Sequence, residues 1–164
     1  MLIQQHDGSS FNRPWAEYKV GVGDPSGNYW LGNELLSQLT ANNRYKLRFD
    51  LQQRSSGNWY YAEYSTFRVL SEADNYTLQV AWFSGNAGLD AFSAYHNGRQ
   101  FSTVDRGNDR RSSRNCAAYN GGGFWWRDCG ECLVNAARGI RRFYWLDLPG
   151  GPDLQLSRMW LQCK

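Results

Sequence analysis

Residues 105–132, DRGNDRRSSRNCAAYNGGGFWWRDCGEC, constrain this chain more than any other stretch. They gather three of the four cysteines, a Gly triplet, the adjacent Trp125 and Trp126, and a cluster of Arg among Asp, Asn and Ser. No helical or strand periodicity runs through them. Such composition reads as a long loop, and long loops in compact domains are either functional or disordered. Cysteines and paired Trp argue for order, so this stretch is the candidate site.

A loop of that length needs a folded body to carry it. At 164 residues, 41% of them hydrophobic, the chain has enough for one domain with a true core. Eight Trp, ten Tyr and eight Phe suit half-buried pleated surfaces, and most should fill the core. The net charge is +3, but it is uneven. Between Phe101 and Arg142, eight Arg (106, 110, 111, 114, 127, 138, 141 and 142) face Asp105, Asp109, Asp128 and Glu131, a local +4. A local basic field favours anionic partners such as acidic glycans or bacterial surfaces; nucleic acid is not expected. No apolar run reaches the roughly 18 residues of a membrane span, and no signal peptide is visible. The start MLIQQHDGSS reads as the interior of a domain.

The first two thirds carry regular patterns. Asn12 to Gly21 reads as a short helix, with Asn12 as cap, Pro14 in the first turn, and Trp15 and Tyr18 on one face. A second helix opens at Asn33 and carries Leu35, Leu36 and Leu39 as its apolar stripe before Asn42-Asn43. From Tyr45 the period becomes two. Tyr45, Leu47, Phe49 and Leu51 alternate with Lys46, Arg48 and Asp50, the mark of a half-buried strand. The turn Ser55–Asn58 leads to a second strand, 59–69, paired antiparallel, and 75–83 reads as a third. Beyond Gly88 the pattern thins to loops and short strands, with a C-terminal strand over 154–162. The predicted class is α+β: a central antiparallel β-sheet, short flanking helices, and a loop-rich, disulfide-stapled C-terminal ligand-binding subdomain.

Short motifs spread along nearly the whole chain resemble the fibrinogen C-terminal domain, the module also found in ficolins, tachylectins, angiopoietins and tenascins. They are Gln4–Gly8 followed by Trp15-Ala16-Glu17-Tyr18-Lys19, Tyr29-Trp30-Leu31-Gly32-Asn33-Glu34, Tyr61-Ala62-Glu63-Tyr64, Asp74-Asn75-Tyr76, Tyr95-His96-Asn97-Gly98 with Phe101-Ser102-Thr103, Asn115-Cys116-Ala117, and Phe124–Cys129. The resemblance implies a single domain over 1–164. Residues 1–30 would be the remnant of an N-terminal A subdomain, 31–88 a sheet-based B subdomain and 89–164 the ligand-bearing P subdomain. Most of A, with its usual disulfide, is missing, so the chain reads as an excised fragment or a shortened member.

Two sites follow from that resemblance. The family's calcium loop lies before the Asn-Cys pair, and Asp105, Asn108 and Asp109 are the expected Ca2+ ligands here. Calcium takes roughly six to eight hard oxygens, several of them anionic. Gly107 stands in place of one carboxylate, one residue is inserted, and four Arg follow or interrupt the run. An arginine, Arg110, is therefore expected to bridge Asp105 and Asp109 in place of the ion. The second site binds acetyl groups in ficolin- and tachylectin-like members. Asp128, Cys129 and Gly130 match its backbone, with Gly130 in the place of a histidine. Tyr119, Phe143 and Tyr144 are the expected aromatic walls, chosen by their position in the loops. The resemblance pairs Cys116 with Cys129 and leaves Cys132 with Cys163, although four cysteines allow three connectivities. The triplet Asn75-Tyr76-Thr77 is a glycosylation sequon, at home in a secreted protein.

Other chemistries fit less well. Cys129-Gly130-Glu131-Cys132 is a CxxC, but it lacks the strand-to-helix setting of a redox motif and the second CxxC of a zinc knuckle. His6 and His96 lie in no nucleophile motif, and Asp128 with Glu131 does not make a convincing glycosidase pair. The chain is not expected to be an enzyme. The expected function is a secreted, extracellular lectin-like pattern-recognition module for acetylated or acidic glycans in innate immunity. The alternative is a module that binds a protein receptor or peptide, as angiopoietin- or tenascin-like members suggest. Oligomerisation would have to come from regions outside this chain.

Overall fold

The computed structural model describes residues 3–5, 11–135 and 144–164. Its frame is a seven-stranded antiparallel sheet formed by β1 (Ile3–Gln5), β2 (Val22–Gly23), β3 (Tyr29–Trp30), β4 (Tyr45–Gln53), β5 (Trp59–Val69), β6 (Leu78–Gly85) and the last strand, Leu154–Cys163. A small ribbon of β7 (Cys132–Leu133) and β8 (Tyr144–Trp145) lies apart, so the last strand is β9. The order is β2-β3-β1-β9-β4-β5-β6.

The alternation seen from Tyr45 is realised directly. Leu47, Phe49, Leu51 and Gln53 are buried, while Lys46, Arg48 and Asp50 face outward. On that outer face Lys46 and Arg48 both pair with Glu63 at 2.9 Å, and Arg48 also reaches Asp50. Register places Arg48 opposite Glu63, so the ion pairs reinforce the strand pairing that the buried face requires.

The helices are shorter than the sequence pattern implies. Helix α1 spans Trp15–Val20, with Pro14 rather than Asn12 at its cap, and ends at Gly21. Helix α2 spans Asn33–Thr40 from a cap at Gly32. Its inner face is Asn33, Leu36 and Thr40, while Leu35 is exposed. Asn33 and Thr40 can line that face because the side-chain oxygen of each accepts a hydrogen bond. Trp30 Nε1 donates to Asn33 Oδ1, and Thr40 Oγ1 accepts from Val69 N, which ties the helix to β5.

One further departure concerns a strand. Asn75 and Tyr76 have φ of 51° and 50°, a left-handed turn that delays β6 until Leu78. The C-terminal strand expected over 154–162 forms as β9, which returns to the middle of the sheet and pairs with both β1 and β4.

Between sheet and loop half lies an aromatic core. Trp125 is fully buried, with Trp30, Phe67, Phe92, Phe101 and Phe124 all within 6.5 Å between ring centroids. Its indole N–H donates to the Tyr76 carbonyl at 2.7 Å. Tyr18 adds a second link: its hydroxyl donates to Phe11 O at 2.7 Å and accepts from Gly123 N at 2.8 Å. The approach is so close that a Cβ on Gly123 would meet the Tyr18 ring at 2.7 Å. His96 is also fully buried, with Nδ1 2.8 Å from the Trp125 carbonyl and Nε2 3.5 Å from Cys132 Sγ. A carbonyl only accepts, so Nδ1 carries the proton and Nε2 faces the thiol as acceptor. Burial pushes the Cys132 thiol up, which keeps it protonated as the donor.

Two measurements check this core. Tyr18→Phe leaves the Gly123 N–H unpaired in the interior, while Phe11 O keeps its bond from Arg13 N, and should lower the urea unfolding free energy by about 2 kcal/mol. Burial lowers the His96 pKa from 6.5 to about 4, against a smaller opposing contribution from the Trp125 carbonyl. The folded state then takes up its proton later than the unfolded one. Stability should be complete above about pH 6.5 and decline as pH falls toward 4, by about 3 kcal/mol in all. His96→Gln should show a flatter profile across that window.

Candidate functional site

The loop of residues 105–132 is held mainly by its own polar groups. Asp105 Oδ1 accepts from Trp15 N at 2.9 Å, the first amide of α1, and from the Thr103 hydroxyl at 2.6 Å. Partial burial opposes ionisation of this carboxyl, but these donors outweigh it and hold its pKa below the usual range. Asn108 binds Ser102 Oγ through its backbone N–H and the Phe101 carbonyl through its amide. Asp109 accepts from Arg111 N through Oδ1 and from Cys116 N through Oδ2. Helix α3 (Ser93–His96) packs beneath this loop, which continues into α4 (Cys116–Asn120). Asn115 caps α4 by accepting from Ala118 N, and its amide nitrogen donates to the carbonyls of Thr103 and Val104.

These contacts bear directly on the three expected calcium ligands. Asp105 Oδ1 and both Asp109 oxygens already accept from protein donors, and Gly107 contributes no carboxylate. Among the described residues no group of three or more His, Cys, Asp or Glu could hold a metal. The donor set does not fit calcium, which needs several anionic oxygens turned to one point. The expected bridge from Arg110 is not formed either. Arg110 N donates to the Arg127 carbonyl, and no ion pair joins Arg110 to Asp105 or Asp109 among the described residues. Backbone N–H groups meet the carboxylates instead, because the loop folds back on its own chain.

Cys116 and Cys129 form a disulfide across a Cα separation of 5.0 Å. The expected partnership of Cys132 with Cys163 does not form. Cys132 is buried in β7 against His96, whereas Cys163 is exposed at the end of β9, opposite Tyr45. The CxxC is thus divided between a disulfide half and a buried thiol, and does not act as a dithiol pair.

The residues expected around an acetyl group are brought together only in part. The Asp128–Cys129 peptide is trans, and Cys129 has φ of 63°. Asp128 is exposed and pairs with Arg111 Nη1 at 3.0 Å. The Tyr144 hydroxyl donates to the Gly130 carbonyl at 3.1 Å, so this ring does border the turn. Tyr119 lies under the Arg114 guanidinium, 4.4 Å from its ring centroid. Phe143 lies outside the described residues. Gly130 is conformationally required: φ is +78°, and a Cβ there would stand 2.8 Å from His96 Cε1 and 3.0 Å from Trp126 Cζ3. A histidine in this place would drive into His96. Asn75 stands half-buried in its turn, with Oδ1 accepting from Arg106 Nη2 at 2.9 Å.

Sequence reasoning missed two groups. Tyr95 places its hydroxyl 3.5 Å from the Asp128 carbonyl and its ring 5.2 Å from the Arg127 guanidinium. Arg99 joins Arg110 around a depression lined also by Thr77, Gly98, Gln100 and Asn108. Arg99 falls just before the basic run counted in the sequence, and nothing in the spacing links positions 77, 99 and 110.

Comparison with known proteins agrees with this architecture. Residues 1–146 match the family described as "Fibrinogen beta and gamma chains, C-terminal globular domain". Angiopoietin-4 of Bos taurus is 43% identical over 136 residues, which is 82% of this chain and 27% of that protein. Protein scabrous of Drosophila melanogaster is 42% identical over 80% of the chain and 16% of its own length. The chain therefore spans less than a third of these relatives. Among solved structures, the fibrinogen-like globe domain of human ANGPTL2 superposes with a TM-score of 0.89 at 36% identity, covering 99% of this chain and 78% of that one. Lamprey fibrin D-dimer, complexed with the peptide ligand Gly-His-Arg-Pro-amide, gives 0.85 at 28% identity over 98% of this chain and 59% of that one. The chain belongs to the fibrinogen C-terminal domain family.

Proposed function

We propose that this chain is an extracellular binding module whose partner is a protein, docked on the disulfide-anchored loop face around residues 111–130. The observation that carries this reading is the chemistry of that face. Arg111 pairs with Asp128, Arg114 stacks on Tyr119, and Arg127 lies over Tyr95, all above a base fixed by the Cys116–Cys129 bond. Tyr and Arg are the residues most enriched where proteins meet proteins, and a rigid base limits the entropy lost on docking. Among the solved structures this chain resembles, lamprey fibrin D-dimer carries a peptide ligand, which favours the same reading. An acetylated-glycan function has less support in this chain, since Gly130 offers no imidazole and the space beside it is taken by His96.

The test is binding of the purified chain to a panel of receptor ectodomains and, separately, to immobilised N-acetylglucosamine. Saturable binding to an ectodomain is expected, weakened at least about tenfold by the combined Arg111→Glu and Tyr119→Ala substitutions. Retention on N-acetylglucosamine that free acetate competes away, with no ectodomain bound, would overturn the reading.

A further inference from the structure

The depression lined by Arg99 and Arg110 stands beside the loop face described above and has a chemistry of its own. It is polar, with a volume of about 370 Å³, and its remaining lining is Thr77, Gly98, Gln100 and Asn108. The turn of residues 97–100 is fixed against β6, with Gly98 N donating to the Leu78 carbonyl and Leu78 N to the Arg99 carbonyl. On the opposite side, Arg110 N donates to the Arg127 carbonyl. Both walls are thus set by main-chain hydrogen bonds.

Two guanidinium groups line one small space, and a third, that of Arg127, stands close by. None of the three pairs with a carboxylate among the described residues; the nearby Asp128 is taken by Arg111. Arg99 Nε is buried with no hydrogen-bond partner. A buried charged donor without an acceptor is costly, and like charges at close range add to the cost. Burial first, and then the fields of Arg110 and Arg127, pull the Arg99 pKa down, consistent with a site short of negative charge. An oxyanion would relieve all of this at once, because guanidinium forks match its oxygens.

We propose that this depression is a subsite for the sulfate group of a sulfated glycan, held between Arg99 and Arg110. The volume falls within the range of small-ligand pockets and is large for a bare ion, so the sugar carrying the sulfate lies in it as well. The exposed Gln100 amide faces the sugar hydroxyls. The subsite stands independently of the protein-binding reading, since neither Arg99 nor Arg110 is needed for that face.

The test uses the full chain and a size-defined heparin oligosaccharide, with its chemically desulfated form as a control, measured by calorimetry. Arg110→Gln, at an exposed position that spares the fold, should weaken binding about tenfold, and Arg99→Gln with Arg110→Gln should abolish it. Arg54→Gln, which removes the same charge from the β4–β5 turn at the opposite end of these strands, should change little. Affinity should stay level between about pH 5 and 8, because neither a sulfate ester nor arginine titrates there, whereas a phosphate ester would. An equal loss in Arg54→Gln would reduce the effect to net charge and overturn the subsite. So would binding of the desulfated sugar, or binding of a phosphoserine peptide in preference to heparin.

Discussion

Trp125 joins the two halves of the molecule. Its ring meets Trp30 and Phe67 from the sheet side, and Phe92, Phe101 and Phe124 from the loops, while its N–H is spent on the Tyr76 carbonyl. Large rings packed edge to face contribute more than area alone, and an indole N–H in such a place must find an acceptor. The requirement fixes several elements together. Tyr76 has to present its carbonyl, which the left-handed turn at Asn75 and Tyr76 allows, and β6 can begin only after that turn. The Trp125 carbonyl in turn orients His96, and His96 determines what can stand at position 130.

Above this core the loop depends on hydrogen bonds that cross long stretches of sequence. Asp105 serves the first amide of α1, ninety residues earlier in the chain, and Asp109 serves the first amide of α4. Both helices thereby gain a negative charge at their positive ends. Two carboxylates that the family resemblance assigns to an ion are, in this chain, structural acceptors. A loop with so little ladder pairing still orders, because its polar side chains close on its own backbone and the disulfide limits its unfolded freedom.

Much of the architecture was legible in the sequence, and the reasons differ by element. Strands β4 and β5 were plain because one face is buried, so alternation from Tyr45 onward had to appear. The same logic failed for α2. Its inner face includes Asn33 and Thr40, which hydrophobic patterning discounts, while the apolar Leu35 faces solvent. The start of β6 was misplaced because propensity says nothing of a carbonyl owed to a distant Trp. At the site, the Cys116–Cys129 bond followed from the family motifs, but the fate of Cys132 did not. A buried thiol facing an imidazole leaves no trace in spacing, and neither does the meeting of Thr77, Arg99 and Arg110. These are properties of three-dimensional proximity between segments that share no local pattern.

The position of β9 has a consequence for how the chain reaches its native state. Strands β4, β5 and β6 are consecutive hairpins and can pair as soon as they are made, but β4 then presents Tyr45–Gln53 as an open edge. Its neighbour arrives about a hundred residues later, in the form of Leu154–Cys163, which also joins β1, and with it β3 and β2, to β4. Until that segment emerges from the ribosome, a row of unpaired backbone groups flanked by Leu47, Phe49 and Leu51 is available to any passing strand. Chaperones that shield such edges would have a target here. A truncation that spared every residue of the loop face but removed this strand would leave the sheet divided in two.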